Sequence, residues 1–212
     1  AHRGVLFLDE FTEFKRNVLN TLRQPMEDNV VTISRAERTL TFPSDFLLVA
    51  AMNPCPCGYY GHPEIECKCS EDKIRKYVSK ISGPILDRID IQIDVPRITF
   101  EEMDKAPITD TSAEMAEKVS AAKEIQFNRF KKTKILSNNS MPRNMIENHC
   151  KIDNDSKKIL QVAMDRLGMS ARAHDKVLRV ARTIADLDGR ADIIKEDIME
   201  AIQFRSIDRI VK

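Results

Sequence analysis

Glycine is scarce in this 212-residue chain, with six residues at 4, 58, 61, 83, 168 and 189, no two of them five apart. That spacing excludes the G-x-x-x-x-G-K-[ST] loop, whose backbone N–H groups and lysine cradle nucleotide phosphates. Long apolar runs are missing too. None reaches the roughly 18–20 residues that span a bilayer, so no membrane partner is expected. Charge of one sign is lacking: 34 Lys and Arg against 33 Asp and Glu leave a net +1. Any nucleic-acid surface must then be a local patch and not a global field. No secretory pattern is present, and five cysteines without one point to a reducing, cytoplasmic setting. There is no internal repeat and no low-complexity tract. The chain opens Ala1-His2-Arg3-Gly4 and drops at once into an apolar run, which reads as a piece cut from a longer protein.

What is present begins with Val5-Leu6-Phe7-Leu8-Asp9-Glu10. Four apolar residues in a short run predict a strand buried on both faces, as in a parallel sheet covered by helices. Two carboxylates at its end would stand at the carboxyl edge of the sheet, where open α/β folds place ligands. Thr12 is a candidate N-cap for a helix with the stripe Val18, Leu19, Leu22 and Met26, weakened near its end by Pro25. Val30–Ile33 and Thr39–Phe42 flank Ser34-Arg35-Ala36-Glu37-Arg38, a β-hairpin with a basic tip. Phe46–Met52 reads as a second buried strand ending at Asn53, residues 71–81 as a charged helix, and Ile89–Val95 as a third strand bounded by Pro96.

From Pro96 the pattern turns helical. Thr99–Asp110 is an acidic connector. Helices are predicted over 112–131, 142–149, 155–167, 171–187 (capped by Ser170 and stopped near Gly189) and 194–205. The fold class is therefore α/β followed by all-α.

Cys55-Pro56-Cys57 and Cys67-Lys68-Cys69 are two C-x-C pairs joined by a Gly58/Gly61 turn. Four thiolates in fifteen residues could form a tetrahedral structural Zn²⁺ site. Reduced thiols and disulfides remain alternatives, because a single spacer makes both sulfurs of a pair harder to aim at one ion. His62 could replace one sulfur or simply sit in the turn, and Cys150, alone on a helix face, reads as a buried thiol.

Taken in order, these motifs resemble the AAA+ ATPases and, within them, the magnesium-chelatase-like group that includes the ComM-type competence proteins. The resemblance covers nearly the whole chain and is carried by Ala50-Ala51-Met52-Asn53-Pro54-Cys55-Pro56-Cys57-Gly58, by Ile81-Ser82-Gly83-Pro84-Ile85-Leu86-Asp87-Arg88-Ile89-Asp90 and by Leu178-Arg179-Val180-Ala181-Arg182-Thr183-Ile184-Ala185-Asp186-Leu187. It implies the C-terminal part of a P-loop NTPase core over 1–98, a connector over 99–111 and a helical lid over 112–212. Asp9 and Glu10 match the Walker B pair, Asp9 orienting Mg²⁺ on ATP and Glu10 activating water. Asn53 matches sensor 1; standing alone it would be a turn cap before Pro54. Arg88 matches the arginine finger offered to a neighbouring subunit; standing alone it would be a salt bridge to Asp87 or Asp90. Arg172 matches sensor 2, against a solvated first-turn arginine. Arg35 and Arg38 lie where related motors carry a pore loop able to grip DNA phosphates, against a solvated turn partly neutralised by Glu37.

In this family the phosphate loop precedes the Walker B strand, so these 212 residues are expected to bind ATP poorly and hydrolyse none. The strand of that loop normally lies between the 46–52 and 89–95 strands. The two are therefore expected to have no ladder partner between them and to expose apolar edges that favour aggregation or a non-native pairing, leaving the helical part the better-behaved one. The function implied is a DNA-acting ATPase motor, a hexameric ring of like subunits that branch-migrates DNA during uptake and recombination. The alternatives are the ATPase subunit of a magnesium chelatase, against which the cysteine insert argues, and a non-catalytic oligomerisation or interaction module.

Overall fold

Val5–Leu8 forms strand β1 and Leu47–Ala50 forms strand β4, paired in parallel from Val5 opposite Leu47 to Leu8 opposite Ala50. Both strands end at one rim. The pairing runs on past it, with the Ala51 N–H donating to the Leu8 carbonyl and the Phe11 N–H to the Ala51 carbonyl, each at 2.9 Å. The expected burial on both faces does not hold. Val5, Phe7 and Leu47 are 60%, 58% and 62% exposed. They share one face with Val49, because side chains alternate across a strand. Among the described residues this sheet has two strands, too few to carry a layer on each side.

The computed structural model describes residues 1–35, 38–96, 104 and 110–205, so Ala36 and Glu37 at the hairpin tip, and most of the acidic connector, lie outside the described residues. The described chain divides into two units, 1–89 and 90–205.

In the first unit the hairpin forms as expected and somewhat longer, Val30–Arg35 (β2) against Arg38–Pro43 (β3), closing with Arg35 opposite Arg38. The helix expected from Thr12 starts later and breaks in two. Phe11–Glu13 is a 3₁₀ turn that buries Phe11 and Thr12, and Lys15 precedes α1 (Arg16–Thr21), which is followed by α2 (Arg23–Asp28). Pro25 explains the break: its ring would collide with the carbonyl four residues back, at Thr21, where α1 stops. Ser70 caps α3 (Glu71–Val78), accepting the Lys73 N–H, and α4 (Gly83–Leu86) follows. Ile74, Tyr77, Val78, Ile81, Ile85 and Leu86 are buried.

The third strand expected over 89–95 is absent. Gln92 makes a single bridge with Arg205, its N–H donating to the Phe204 carbonyl at 2.8 Å, while Ile91, Ile93 and Val95 stay exposed. An alternating pattern becomes a strand only beside another strand, and here the segment meets the end of a helix within the second unit.

That unit follows the helical reading closely: α5 (Ser112–Phe130), α6 (Arg143–His149), α7 (Asn154–Leu167), α8 (Ala171–Leu187) and α9 (Lys195–Gln203). Thr111 and Glu114 form a reciprocal capping box on α5, and Asp153 and Ser170 cap α7 and α8. Phe130, Met141, Ile146, Leu160, Val177, Ala181 and Ile198 anchor the core. On α5 only the second half joins it: Ala122 and Phe130 are buried, whereas Met115 and Val119 face water. A buried charge network ties the elements together. Asp186 accepts from Arg129 at 2.5 and 2.7 Å, from Arg182 Nε at 3.1 Å and from Asn138 at 2.8 Å. Arg182 also donates to the carbonyls of Arg190 and Ala191 at 2.6 Å. No described helix is long and apolar enough to cross a membrane.

Candidate functional site

The rim shared by β1 and β4 opens onto a pocket of about 540 Å³. Glu10 and Glu13 contribute carboxylates to its lining, Asn53 an amide and Pro56 a ring, and the far wall carries Lys73, Lys76, Tyr77 and Lys80. The lysines recur at three- and four-residue steps, which places them along one side of α3 and its continuation. Lys80 pairs with Glu13 at 3.2 Å.

Glu10 reaches the pocket through an unusual backbone. Its φ of 49° and ψ of 46° are left-handed, costing a non-glycine residue about 1 kcal/mol or more. That turn sends Phe11 inward, to 1% exposure, and keeps Glu10 at the rim. Asp9 stabilises it, Oδ1 accepting the Glu10 N–H at 2.8 Å. Asp9 is exposed beside the pocket, adjacent to Glu10, and is not among the residues lining it.

Arg88 lies just past α4, with Nη1 donating to the Pro84 carbonyl at 2.5 Å and Nη2 paired with the Glu27 carboxylate of α2. Its side chain is 8% exposed. Asp90, one of the partners the sequence suggested, pairs with Lys176. Burial lowers the Lys176 amine, and Asp90 offsets part of that. Arg172 is the second residue of α8, exposed, and belongs to the helical unit. Arg35 and Arg38 face each other as the last register pair of the hairpin, both exposed.

The four clustered cysteines do come together. Cys55 and Cys57 sulfurs are 3.3 Å apart, Cys55 and Cys67 3.7 Å, Cys57 and Cys67 3.6 Å, and all four lie within 4.8 Å of one another. All are free thiols and Cys55 is fully buried. Gly58 and Gly61 make the fold-back with φ of 83° and 79°, values that a side chain would strain. The backbone N–H of Tyr59, together with the neighbouring sulfurs, lowers the Cys57 thiol to about 6 against the opposing effect of burial. At Cys67 the N–H of Cys69 lowers the thiol, but burial and the Cys57 and Cys55 sulfurs win and push it up to about 12. Burial and the neighbouring sulfurs raise the Cys69 thiol as well. His62 stands apart, its Nδ1 accepting the N–H groups of Glu64 at 3.1 Å and Ile65 at 3.0 Å. Cys150 is buried in the helical unit, its thiol pushed up to about 11 by burial.

The sequence pattern of the magnesium chelatase subunit ChlI matches residues 1–103, and that of the ChlI C-terminal region matches residues 109–205. The chain belongs to this magnesium-chelatase-like AAA+ family. It is 40% identical over 213 residues to competence protein ComM of Haemophilus influenzae, and 38% identical over 213 residues to the uncharacterized protein YifB of Escherichia coli. Each alignment covers 100% of this chain and 41% of the relative. An uncharacterized protein of Mycobacterium tuberculosis strain H37Rv is 34% identical over 97% of the chain and 40% of its own length. The chain thus spans about two fifths of the length of these relatives. Within this magnesium-chelatase-like chain, sequence reasoning missed Glu13, Glu27 and the lysines of α3. The lysine spacing was legible, but which side of α3 faces the rim was not.

Proposed function

We propose that this chain supplies the hydrolytic part of an ATPase site in a cytoplasmic, ring-forming motor that acts on DNA. The observation that carries the reading is the convergence of Glu10 and Asn53 on one pocket at the carboxyl ends of two parallel strands. Glu10 takes the proton of the attacking water as its oxygen bonds the γ-phosphorus and the bond to the β–γ bridging oxygen breaks, leaving ADP and phosphate. Asn53 hydrogen-bonds that water without adding charge. Asp9 has one oxygen engaged by Glu10 and a second that suits Mg²⁺, a cation that takes oxygen ligands. Bound Mg²⁺ would neutralise charge on the phosphates. Arg172 acts as the lid's sensor. Arg88 serves the nucleotide of the next subunit in a homo-oligomeric ring, expected to be a hexamer, and exchanges Glu27 for phosphoryl oxygens to do so. The 212 residues contain no phosphate loop and hydrolyse no ATP unaided. Cys55, Cys57, Cys67 and Cys69 hold a structural Zn²⁺.

DNA is favoured as the client by the hairpin. Like charges directly opposite in an antiparallel ladder repel, so an anion between Arg35 and Arg38 relieves a built-in cost. The name of the ComM relative points the same way. The ChlI description favours a second reading, an ATPase subunit that drives Mg²⁺ insertion by a chelatase.

The test uses the full-length native protein. DNA is expected to raise its ATP turnover, and Glu10→Gln to lower turnover by about 10²-fold or more. Turnover indifferent to DNA favours the chelatase reading. Turnover indifferent to Glu10→Gln overturns the site.

A further inference from the structure

The cysteine cluster is tied by chain connectivity to both walls of the Glu10–Asn53 pocket. Cys55 follows Asn53 by two residues, and Pro56, between Cys55 and Cys57, itself lines the pocket. On the other side Cys69 immediately precedes Ser70, the cap of α3, and α3 presents Lys73, Lys76 and Tyr77 to the same space. The segment between the two C-x-C pairs contains turns and no helix or strand, and Tyr59, Tyr60 and Ile65 stand 39%, 47% and 40% exposed. Such a loop has little apolar burial of its own to hold its ends together.

The sulfurs are spaced as a metal would space them. Thiolates about 2.3 Å from a tetrahedral zinc ion stand about 3.8 Å from one another. The contacts among Cys55, Cys57 and Cys67 run from 3.3 to 3.7 Å, and the Cys69 sulfur lies within 4.8 Å of each of them. A disulfide would need about 2.0 Å. Thiols are weak hydrogen-bond partners, so mutual attraction gives little reason to pack four of them at such distances.

We propose that a zinc ion bound by Cys55, Cys57, Cys67 and Cys69 acts as a clamp across the pocket, joining the Asn53–Pro56 wall to the lysine wall of α3. The clamp rests on the zinc reading given above and adds to it a consequence for the pocket. Because metal binding free energy is folding free energy for the segment that carries the ligands, loss of the ion loosens both walls, while the helical unit, which shares no ligand with it, keeps its stability.

The protein purified under reducing conditions without chelator is assayed for metal, and then followed by amide hydrogen exchange before and after treatment with a zinc chelator. One zinc per chain is expected, with a tetrahedral thiolate spectrum when Co²⁺ replaces it. Chelation is expected to speed exchange at least tenfold over 53–58 and 70–78 and to leave 171–187 unchanged. Added Zn²⁺ should restore protection, and the double variant Cys57→Ser/Cys67→Ser should reproduce the stripped pattern. Zinc present, with exchange over 53–58 and 70–78 unaltered by its removal and by the double variant, overturns the clamp and leaves the zinc site standing. Protein free of zinc, or with its cysteines paired as disulfides, overturns both.

Discussion

Val5, Phe7, Leu47 and Val49 stand on one uncovered face of the β1–β4 sheet, between 40% and 62% exposed. The stripe of α8 in the other unit, Val177, Leu178, Ala181 and Ala185, is between 0% and 6% exposed. The strands, VLFL and LLVA, are more apolar than the helix, so composition does not explain the contrast. A helix satisfies its backbone internally and needs only another helix to cover its stripe. A strand needs neighbours at its edges and cover on both faces before its apolar residues leave water. The apolar core of the helical unit is assembled entirely from residues between 130 and 202, whereas the sheet, within the described residues, finds no comparable cover. The pocket is thus built on the less self-sufficient of the two units, where the metal cross-link proposed for the cysteine cluster has most to contribute.

The largest test of this contrast removes the charge at the centre of the helical unit. Asp186→Ala leaves the Arg129 and Arg182 guanidiniums facing each other in a buried site and should cost about 3–5 kcal/mol in urea unfolding read at helical ellipticity. A loss well under about 1 kcal/mol would mean that the network does not hold these helices together.

Acid should act next most strongly, and on the same unit. Glu114 is held below the usual carboxylate range by the N–H and hydroxyl of Thr111, and Asp153 by the N–H of Ser156. Burial raises the Asp197 carboxyl, but Arg190 and the Ile194 N–H outweigh it and lower it. Depressed folded values mean that the unfolded chain takes up protons first. Their stabilisation is complete above the unfolded carboxylate range, near pH 4, and is lost as pH falls through the folded values. The thermal midpoint of the helical signal should drop by several degrees from pH 5 to pH 3, and the pair Glu114→Gln and Asp153→Asn should flatten that drop. A profile as steep in the variant as in the parent would contradict the assignment.

The smallest effect belongs to the sheet. Phe7→Thr removes an exposed ring and should change stability by no more than about 0.5 kcal/mol, while reducing concentration-dependent light scattering. A large loss of stability would show that this face is covered in solution.

How far each feature could be read in advance follows its range along the chain. The α8 boundaries, the Ser170 cap and the Cys150 burial all came from neighbours within a few residues. The end of α1 at Thr21 was implicit in Pro25, four residues on, though Thr12 misled as its start because a buried 3₁₀ turn intervenes. The alternation over 89–95 was real and still misread, since Gln92 meets Arg205 and not a strand. Glu27 as the partner of Arg88, and the lysines of α3 facing Glu10, depend on segments brought together from 61 and roughly 65 positions away, which no local pattern encodes.

The linear order of residues was enough to establish the family, the succession of an α/β part by helices, and the spacing of the acids, amide and thiols, because periodicity, caps and motif spacing are local properties of a chain. Which of those groups share a pocket, which cation Glu27 holds and how closely four sulfurs crowd were settled by long-range packing. Those outcomes depend on parallel register and on buried partners distant in sequence, and a chain fixes such distances only once it has folded.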